Sequence, residues 1–229
     1  MTDLLVIGNG PSTKTLQFNK IKIDTFCVNN SYKMFKTLQF YPKYFGSFDK
    51  RHCKENKQDY IDLIKNSPIE KFFIPKQYLI GYPEEILNHP KLVDMKVKYV
   101  KRGNDLKYPK SFLDYTDGGN SGINAVLCGY LLGYKNIYLM GCDASYGKNI
   151  IDENDNTEES LNKLNSNYWI DNYYETEEDL QFKPTLRFHK PFWNMLLKRK
   201  PKNINIYNCS TLSELKKFPF KEITTIYKK

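Results

Sequence analysis

Short apolar runs that end at turn-forming residues recur along the chain and predict the strands of a sheet. Most of these runs are uniformly apolar instead of alternating, which is typical of parallel strands covered on both faces. Glycine, asparagine or proline follows most of them, as expected where a strand ends. The runs are residues 4–7, 25–28, 44–48, 71–74, 136–140 and 205–209.

Helical patterns alternate with these strands. Residues 54–66 are polar with helical spacing, residues 123–134 form an apolar helix closed by Gly133, and residues 188–200 are again helical. Ser210 and Thr211 can cap a short helix through Lys217. Strands that alternate with helices predict an α/β protein with a Rossmann-like, mostly parallel sheet and helices on both faces.

Two segments do not fit this alternation. Residues 76–116 contain Pro83, Pro90 and Pro109, which argue against long regular elements. Residues 147–183 are rich in Asn, Asp and Glu and poor in aliphatic side chains, so we expect an exposed insertion or lid there. The length of 229 residues suits a single domain spanning residues 1–229.

Composition adds two constraints. The net charge of +9 comes mostly from scattered lysines, which favours a Lys-rich composition over a surface for an anionic partner such as a nucleotide, a nucleic acid or a membrane. The five cysteines form no CxxC pair, so neither a disulfide framework nor a zinc site is indicated. With no signal-peptide pattern and no membrane-spanning run, we expect a cytoplasmic protein.

The most informative motif is the turn after the first predicted strand, Gly8-Asn9-Gly10-Pro11-Ser12. Its glycines let the backbone turn tightly and approach a ligand, and its proline suits a first helical position. Ser12 and the free amides of the helix start can meet a phosphate. An ordinary strand-to-helix turn is the alternative, because the motif is shorter than the dinucleotide-binding fingerprint. Asn9 and Ser12 favour ligand binding, because polar side chains at strand ends line the usual site.

Polar residues also follow the second and third predicted strands. Asn29 and Asn30 come directly after one strand, and Ser47 and Asp49 lie at the end of the next. Parallel topology would gather these side chains at one edge of the sheet. Each residue is equally well explained as a turn former, but together they favour a binding site.

Polar residues precede the apolar helix predicted at 123–134. An acidic residue follows the next strand, predicted at 136–140. Asn120-Ser121-Gly122 precedes the helix, where its amides can hold a phosphate or carboxylate while Asn120 or Ser121 caps the helix. Asp143 follows the later strand and can either accept from a sugar hydroxyl or hold a neighbouring loop.

His189 is the candidate general base among three histidines. It opens a helix directly after the expected lid, and an imidazole titrates near neutral pH. A lone histidine is more often structural, and His52 and His89 have weaker contexts still.

These motifs together resemble the bacterial family 42 sialyltransferases, and a broader group with motility-associated-factor and pterin pyrophosphokinase-like proteins. The matching segments are residues 5–12, 28–30 and 120–143, the last ending in LGYKNIYLMGCD. The resemblance covers about residues 1–49 and 118–215. It implies a Rossmann-like fold with a mobile lid, a CMP-sialic acid donor, and no requirement for a metal or other cofactor.

The resemblance also implies roles for individual residues. Asn9 and Ser12 would contact the nucleotide and its phosphate, Asn29 would lie near the donor, and His189 would be the general base. Tyrosines of the lid would bind the leaving phosphate, with Tyr146 and Tyr168 as the leading candidates beside Tyr173 and Tyr174. The implied donor site as a whole comprises Gly8, Asn9, Gly10, Ser12, Asn29, Ser47, Asn120, Ser121, Gly122 and Asp143.

The chain departs from the family pattern around the sugar and the leaving group. Asn120-Ser121 replaces a Thr-Ser pair, Ser47 replaces an asparagine, and Ala144-Ser145-Tyr146 stands where aromatic residues are expected. The resemblance therefore speaks more directly to the nucleotide than to the sugar.

The sequence thus predicts an inverting glycosyltransferase that moves a sialic acid or related nonulosonic acid from a CMP-sugar to a glycan or glycolipid hydroxyl. Peripheral contact of the basic residues with the inner face of a membrane, and a homo-oligomer, are further expectations. One alternative is an Mg²⁺-dependent pyrophosphokinase-like enzyme, for which Asp49 and Asp143 are the best-placed carboxylates. Another is a non-catalytic basic module that binds nucleic acid.

Overall fold

A computed structural model describes residues 2–98, 106–145, 158–171, 173 and 189–227. Its strands are β1 (Asp3–Ile7), β2 (Asp24–Val28), β3 (Tyr44–Gly46), β4 (Lys71–Phe73), β5 (Val97–Lys98), β6 (Tyr115–Thr116), β7 (Asn136–Met140) and β8 (Asn205–Asn208). Its α-helices are α1 (Phe35–Leu38), α2 (Lys50–Glu55), α3 (Lys57–Asn66), α4 (Glu84–Leu87), α5 (Ser121–Leu131), α6 (Glu158–Asn165) and α7 (His189–Lys198). Short 3-10 turns connect several of these elements.

Six strands form the central sheet in the order β4-β3-β2-β1-β7-β8, and every neighbouring pair is parallel. The chain builds one half outward from β1 to β4 and then returns to place β7 on the other side of β1. The strand order therefore reverses between β1 and β7, and ligands of open parallel sheets bind outside the carboxyl ends of the strands at such a point.

The sheet is buried on both faces, as the uniformly apolar strands predicted. Leu4 and Val6 of β1 pack on one face with residues of α5 and α7. Leu5 and Ile7 point the other way and pack with residues of α1, α2 and α3. The predicted α/β class, with a parallel sheet between two layers of helices, is confirmed.

Two local predictions are wrong. The polar helix expected at 54–66 is divided into α2 and α3 at Asn56, which lies outside the helical region at φ −100° and ψ 30°. The helix expected after Ser210 does not form: the hydroxyls of Ser210 and Ser213 accept from the amides two residues ahead and close turns instead. The prediction that residues 76–116 lack long regular elements is confirmed where the structure describes them: this segment contains short elements, including the two-stranded sheet of β5 and β6.

The expected exposed insertion is wrong for its central part. Residues 164–171 and 173, which we call the aromatic strap, bury Tyr168, Trp169, Ile170 and Tyr173 in a small apolar cluster of their own. Elsewhere in the predicted lid, residues 158–163 belong to α6, and residues 147–157, 172 and 174–183 lie outside the described residues. No helix among the described residues is long and apolar enough to cross a bilayer, and all five cysteines are free thiols.

Candidate functional site

The turns after β1 and β7 are interlocked at the point where the strand order reverses. Gly8 donates its amide to the carbonyl of Met140 at 2.8 Å, and Gly10 donates to the carbonyl of Gly141 at 2.8 Å. A Cβ atom added to Gly8 would lie 2.4 Å from the Gly141 carbonyl oxygen, so a side chain does not fit there. The first glycine is therefore required by the contact between the two turns.

Ser12 and Asp143 fasten the same two turns. The Ser12 hydroxyl donates to one carboxylate oxygen of Asp143 at 2.6 Å, and the Ser12 amide donates to the other at 2.9 Å. The Ser12 hydroxyl also accepts from the Gly141 amide at 2.9 Å. Of the two roles open to Asp143 from the sequence, the structure shows the second, which is to hold a neighbouring loop.

A cavity of about 700 Å³ opens above this junction at the carboxyl edge of the sheet. Its size is within the usual range for small-molecule sites. Ten of the predicted site residues line it: Gly8, Asn9, Gly10, Asn29, Asn120, Ser121, Gly122, Asp143, Tyr168 and His189.

Two of the predicted site residues that the structure describes, Ser12 and Ser47, do not line the cavity. Ser12 is buried behind the junction. Ser47 is fully buried, and its hydroxyl oxygen accepts from Tyr60 at 3.2 Å and from the Cys53 thiol at 3.4 Å. Tyr146 lies outside the described residues.

Asn29 and Asn120 line the cavity, and each has one buried side-chain polar atom without a partner among the described residues. Asn29 donates its side-chain amide to the Ser121 hydroxyl at 2.9 Å, while its Oδ1 is buried without a partner among the described residues. Asn120 caps α5 by accepting from the Ile123 amide at 2.9 Å, while its Nδ2 lacks a partner in the same part of the chain. Unpaired buried acceptors and donors are uncommon in native proteins, so these two, in residues that line a cavity, favour a site completed by a polar ligand or by ordered water.

The backbone at Asn29 is in the left-handed region, with φ 51°. Ala144, which also lines the cavity, has φ 49°. Such conformations cost a non-glycine residue about 1–3 kcal/mol and concentrate at functional sites. Both residues lie in turns that follow sheet strands, where the cavity forms.

The wall after β3 was largely missed by sequence reasoning. Lys50, Arg51 and His52 line the cavity at the start of α2, which Asp49 caps by accepting from the Arg51 amide at 2.8 Å. Arg51 also pairs with the Asp49 carboxylate at 3.4 Å. Sequence reasoning considered only the polar residues that directly follow each strand. Including the three residues after Asp49 would have identified this basic wall.

His189 lies at the first position of α7 and lines the cavity. Burial lowers the pKa of its imidazole below the usual value of 6.5, because desolvation disfavours the charged form. The ring is therefore mostly neutral at pH 7, which is the state that a general base requires.

No group of three His, Cys, Asp or Glu side chains is close enough to hold a metal ion in the described part of the chain. The two carboxylates singled out from the sequence have protein partners. Asp143 accepts from Ser12 through both oxygens, and Asp49 caps α2.

The fold is shared with solved bacterial sialyltransferases. The sialyltransferase CstII from Campylobacter jejuni, in complex with the substrate analogue cytidine-5'-monophosphate, matches with a TM-score of 0.58 and 18% identity, over 96% of this chain and 84% of that one. CST-II in complex with trisaccharide acceptor and CMP gives 0.54 and 18%, over 96% and 85%.

The monofunctional α-2,3-sialyltransferase Cst-I from Campylobacter jejuni gives a TM-score of 0.52 and 18% identity, over 96% of this chain and 80% of that one. At this identity the likeness shows the fold alone. No protein-family model matches the sequence, and no curated protein matches it.

Proposed function

We propose that this protein is an inverting glycosyltransferase that uses a CMP-activated sialic acid or related nonulosonic acid. The observation that carries the proposal is the composition of the cavity. Asn29 and Asn120 line it and carry buried amide atoms without partners among the described residues, and the neutral base His189 lines the same cavity. The shared fold with CMP-bound sialyltransferases supports the same conclusion.

The proposed reaction needs one base and a stabilised leaving group. The acceptor hydroxyl oxygen attacks the anomeric carbon, the bond from that carbon to the phosphate oxygen of CMP breaks, and His189 takes the hydroxyl proton. The departing phosphate keeps the bonding electron pair, so it develops negative charge. Lys50 lines the cavity and supplies positive potential for that charge, and Tyr168 can donate a hydrogen bond to it.

The two alternatives are less well supported. A pyrophosphokinase-like site would require Asp49 and Asp143 to hold Mg²⁺, but both oxygens of Asp143 already accept from Ser12. A nucleic-acid module predicts an open basic face with aromatic side chains for stacking, whereas Lys50 and Arg51 line a cavity. Membrane contact and assembly into a homo-oligomer remain predictions.

Nucleotide titration is the direct test of the proposal. We expect CMP and CDP to raise the melting temperature, because a ligand at about 100 times its Kd stabilises the folded state by about 2.7 kcal/mol. ATP with Mg²⁺ is the matched comparison and should produce no shift. A shift with ATP and Mg²⁺, and none with CMP or CDP, would contradict the proposal and favour the pyrophosphokinase-like alternative.

Replacing Asn29 with glycine should separate ligand binding from stability. Glycine adopts φ 51° without strain, but the variant also loses the hydrogen bond to Ser121 and gains unfolded-state entropy, so we expect the free energy of unfolding to change by no more than about 1 kcal/mol. The affinity for CMP should nevertheless fall by about fivefold to tenfold, because the cavity loses a hydrogen-bonding group. Isothermal titration and urea unfolding measure the two quantities.

Gln39→Gly is the matched control for this substitution. Gln39 also has a left-handed backbone, at φ 48°, but it does not line the cavity. Its replacement should relieve strain and leave CMP affinity unchanged. Equal affinities for CMP in the Asn29 and Gln39 variants would show that Asn29 is not part of the donor site.

A further inference from the structure

Two N–H groups of Trp169, in the aromatic strap, donate to a single residue of the glycine turn. The Trp169 backbone amide donates to the Asn9 carbonyl at 3.1 Å, and the indole Nε1–H donates to Asn9 Oδ1 at 3.3 Å. Asn9 in turn donates its Nδ2 to the carbonyl of Val28, at the end of β2, at 3.0 Å. One asparagine thus connects the ends of β1 and β2 to the strap.

The strap carries part of the cavity wall. Tyr168, the residue before Trp169, lines the cavity and stacks on Tyr173 with ring centroids 3.9 Å apart and planes 9° apart. Asn30 donates to the Tyr173 carbonyl at 3.4 Å. Asn30, after β2, therefore holds Tyr173, while Asn9, after β1, holds Trp169, the chain neighbour of Tyr168. We call Tyr168 and Tyr173 the tyrosine wall.

Apolar packing holds the strap in place independently of these hydrogen bonds. Trp169 stacks on Phe18 with a centroid distance of 5.5 Å, and the strap residues Leu164 and Ile170 are buried. The exposed ion pair between Lys14 and Asp171 adds little. Loss of the indole hydrogen bond should therefore alter how closely the strap follows the glycine turn without releasing it.

We infer that Trp169 is a positioning residue: through Asn9 it aligns the tyrosine wall with the nucleotide end of the cavity, so that water is excluded from the bound donor. The inference rests on the proposed function, because the excluded reaction is hydrolysis of the CMP-sugar. Water that attacks the anomeric carbon gives free sugar and CMP instead of the transfer product. The exclusion of water from the site therefore sets the ratio of donor hydrolysis to sugar transfer.

The test is the ratio of donor hydrolysis to transfer in Trp169→Phe. Phenylalanine keeps the ring packing and the backbone amide but removes the Nε1–H, which leaves Asn9 Oδ1 without that partner. We expect the ratio to rise by about threefold to tenfold, the range that corresponds to one hydrogen bond. Partial unfolding would lower both rates together and leave their ratio unchanged, so the ratio distinguishes positioning from stability.

A double-mutant cycle with Asn9→Ala tests whether Trp169 acts through its hydrogen bond to Asn9. In the Asn9→Ala background, Trp169→Phe should have no further effect on the ratio, because the acceptor of the indole is already absent. Phe18→Leu is the control: it trims the packing on Trp169 and leaves the hydrogen bonds intact, so its ratio should stay within about twofold of the unaltered chain.

The possible results are distinct. An unchanged ratio in a folded Trp169→Phe protein, or an equal rise in Phe18→Leu, overturns the inference and leaves the proposed function intact. If Trp169→Phe does not fold, Asn9→Ala carries the test, and an unchanged ratio there overturns it. If the unaltered chain neither binds CMP nor transfers sugar, the proposed function fails and the role of Trp169 fails with it.

Discussion

Replacing His189 with asparagine is expected to lower kcat for sugar transfer by about 10²- to 10⁴-fold, the usual contribution of a positioned general base. Asparagine retains a polar side chain of similar size but cannot take up the proton of the attacking hydroxyl group. CMP affinity should change little, because the proposed role of His189 concerns the acceptor. A transfer assay at saturating donor, together with CMP titration of the same variant, measures both quantities.

The pH dependence gives an independent measure of the same role. Burial lowers the pKa of His189 below 6.5, so its imidazole stays neutral at pH 7 and becomes protonated only at a pH under that value. We therefore expect kcat/KM to be level at neutral pH and to fall tenfold per pH unit on the acid side of the lowered pKa. His189→Asn should remove this acid limb.

Two other histidines serve as comparisons. His52 also lines the cavity, on the wall after β3. His89 does not line it and accepts from the Lys91 amide at 3.3 Å. We expect His52→Asn to cost less than His189→Asn and His89→Asn to have no effect. A loss of the acid limb in the His52 variant, with the limb retained in His189→Asn, would assign the base to His52.

Most of the sheet and the edge that carries the cavity follow from local sequence. Uniformly apolar runs bounded by glycine and asparagine specify buried parallel strands, and parallel strands place their carboxyl ends together. Asn9, Asn29, Asn120 and His189 could therefore be selected without knowing any contact. His189 needed the family resemblance as well, since one histidine at a helix start carries little information.

What the sequence could not predict depends on contacts between distant segments. Ser12 and Asp143 are 131 residues apart, and their pairing follows from the position of β7 beside β1, which no local pattern encodes. Ser12 has the same short polar side chain whether it meets a phosphate or a carboxylate. Its pairing with Asp143 became visible only once the strand order was known.

The aromatic strap was concealed by composition. The Asn, Asp and Glu residues of 147–183 indicated solvent exposure, although Tyr168, Trp169, Ile170 and Tyr173 lie among them. Four large apolar side chains within six positions can bury a surface of their own when a partner is present. Here the partners are Phe18, Met34 and Leu38, which belong to the segments after β1 and β2.

Replacing Gly141 with alanine should destabilise the protein by about 2–5 kcal/mol. Gly141 has φ +70°, a left-handed conformation that costs an alanine about 1–2 kcal/mol. An added Cβ would also lie 2.1 Å from the Thr13 hydroxyl oxygen and 2.4 Å from the Gly8 carbonyl oxygen. Forcing extra atoms into a packed site adds about 1–3 kcal/mol. Urea unfolding, with the midpoint and the slope both fitted, measures the loss.

Gly133→Ala is the matched control, because it isolates the cost of the close approach. Gly133 has φ +87°, yet none of the described heavy atoms outside its own turn lies within 4 Å of the position that an added methyl group would take. Its variant should lose only the backbone term, about 1–2 kcal/mol. The excess loss in Gly141→Ala then measures the contact between the turns after β1 and β7. Equal losses of unfolding free energy in the two variants would mean that the two turns can move apart at little cost. Glycine would then be required at positions 8 and 141 because a ligand approaches the backbone there.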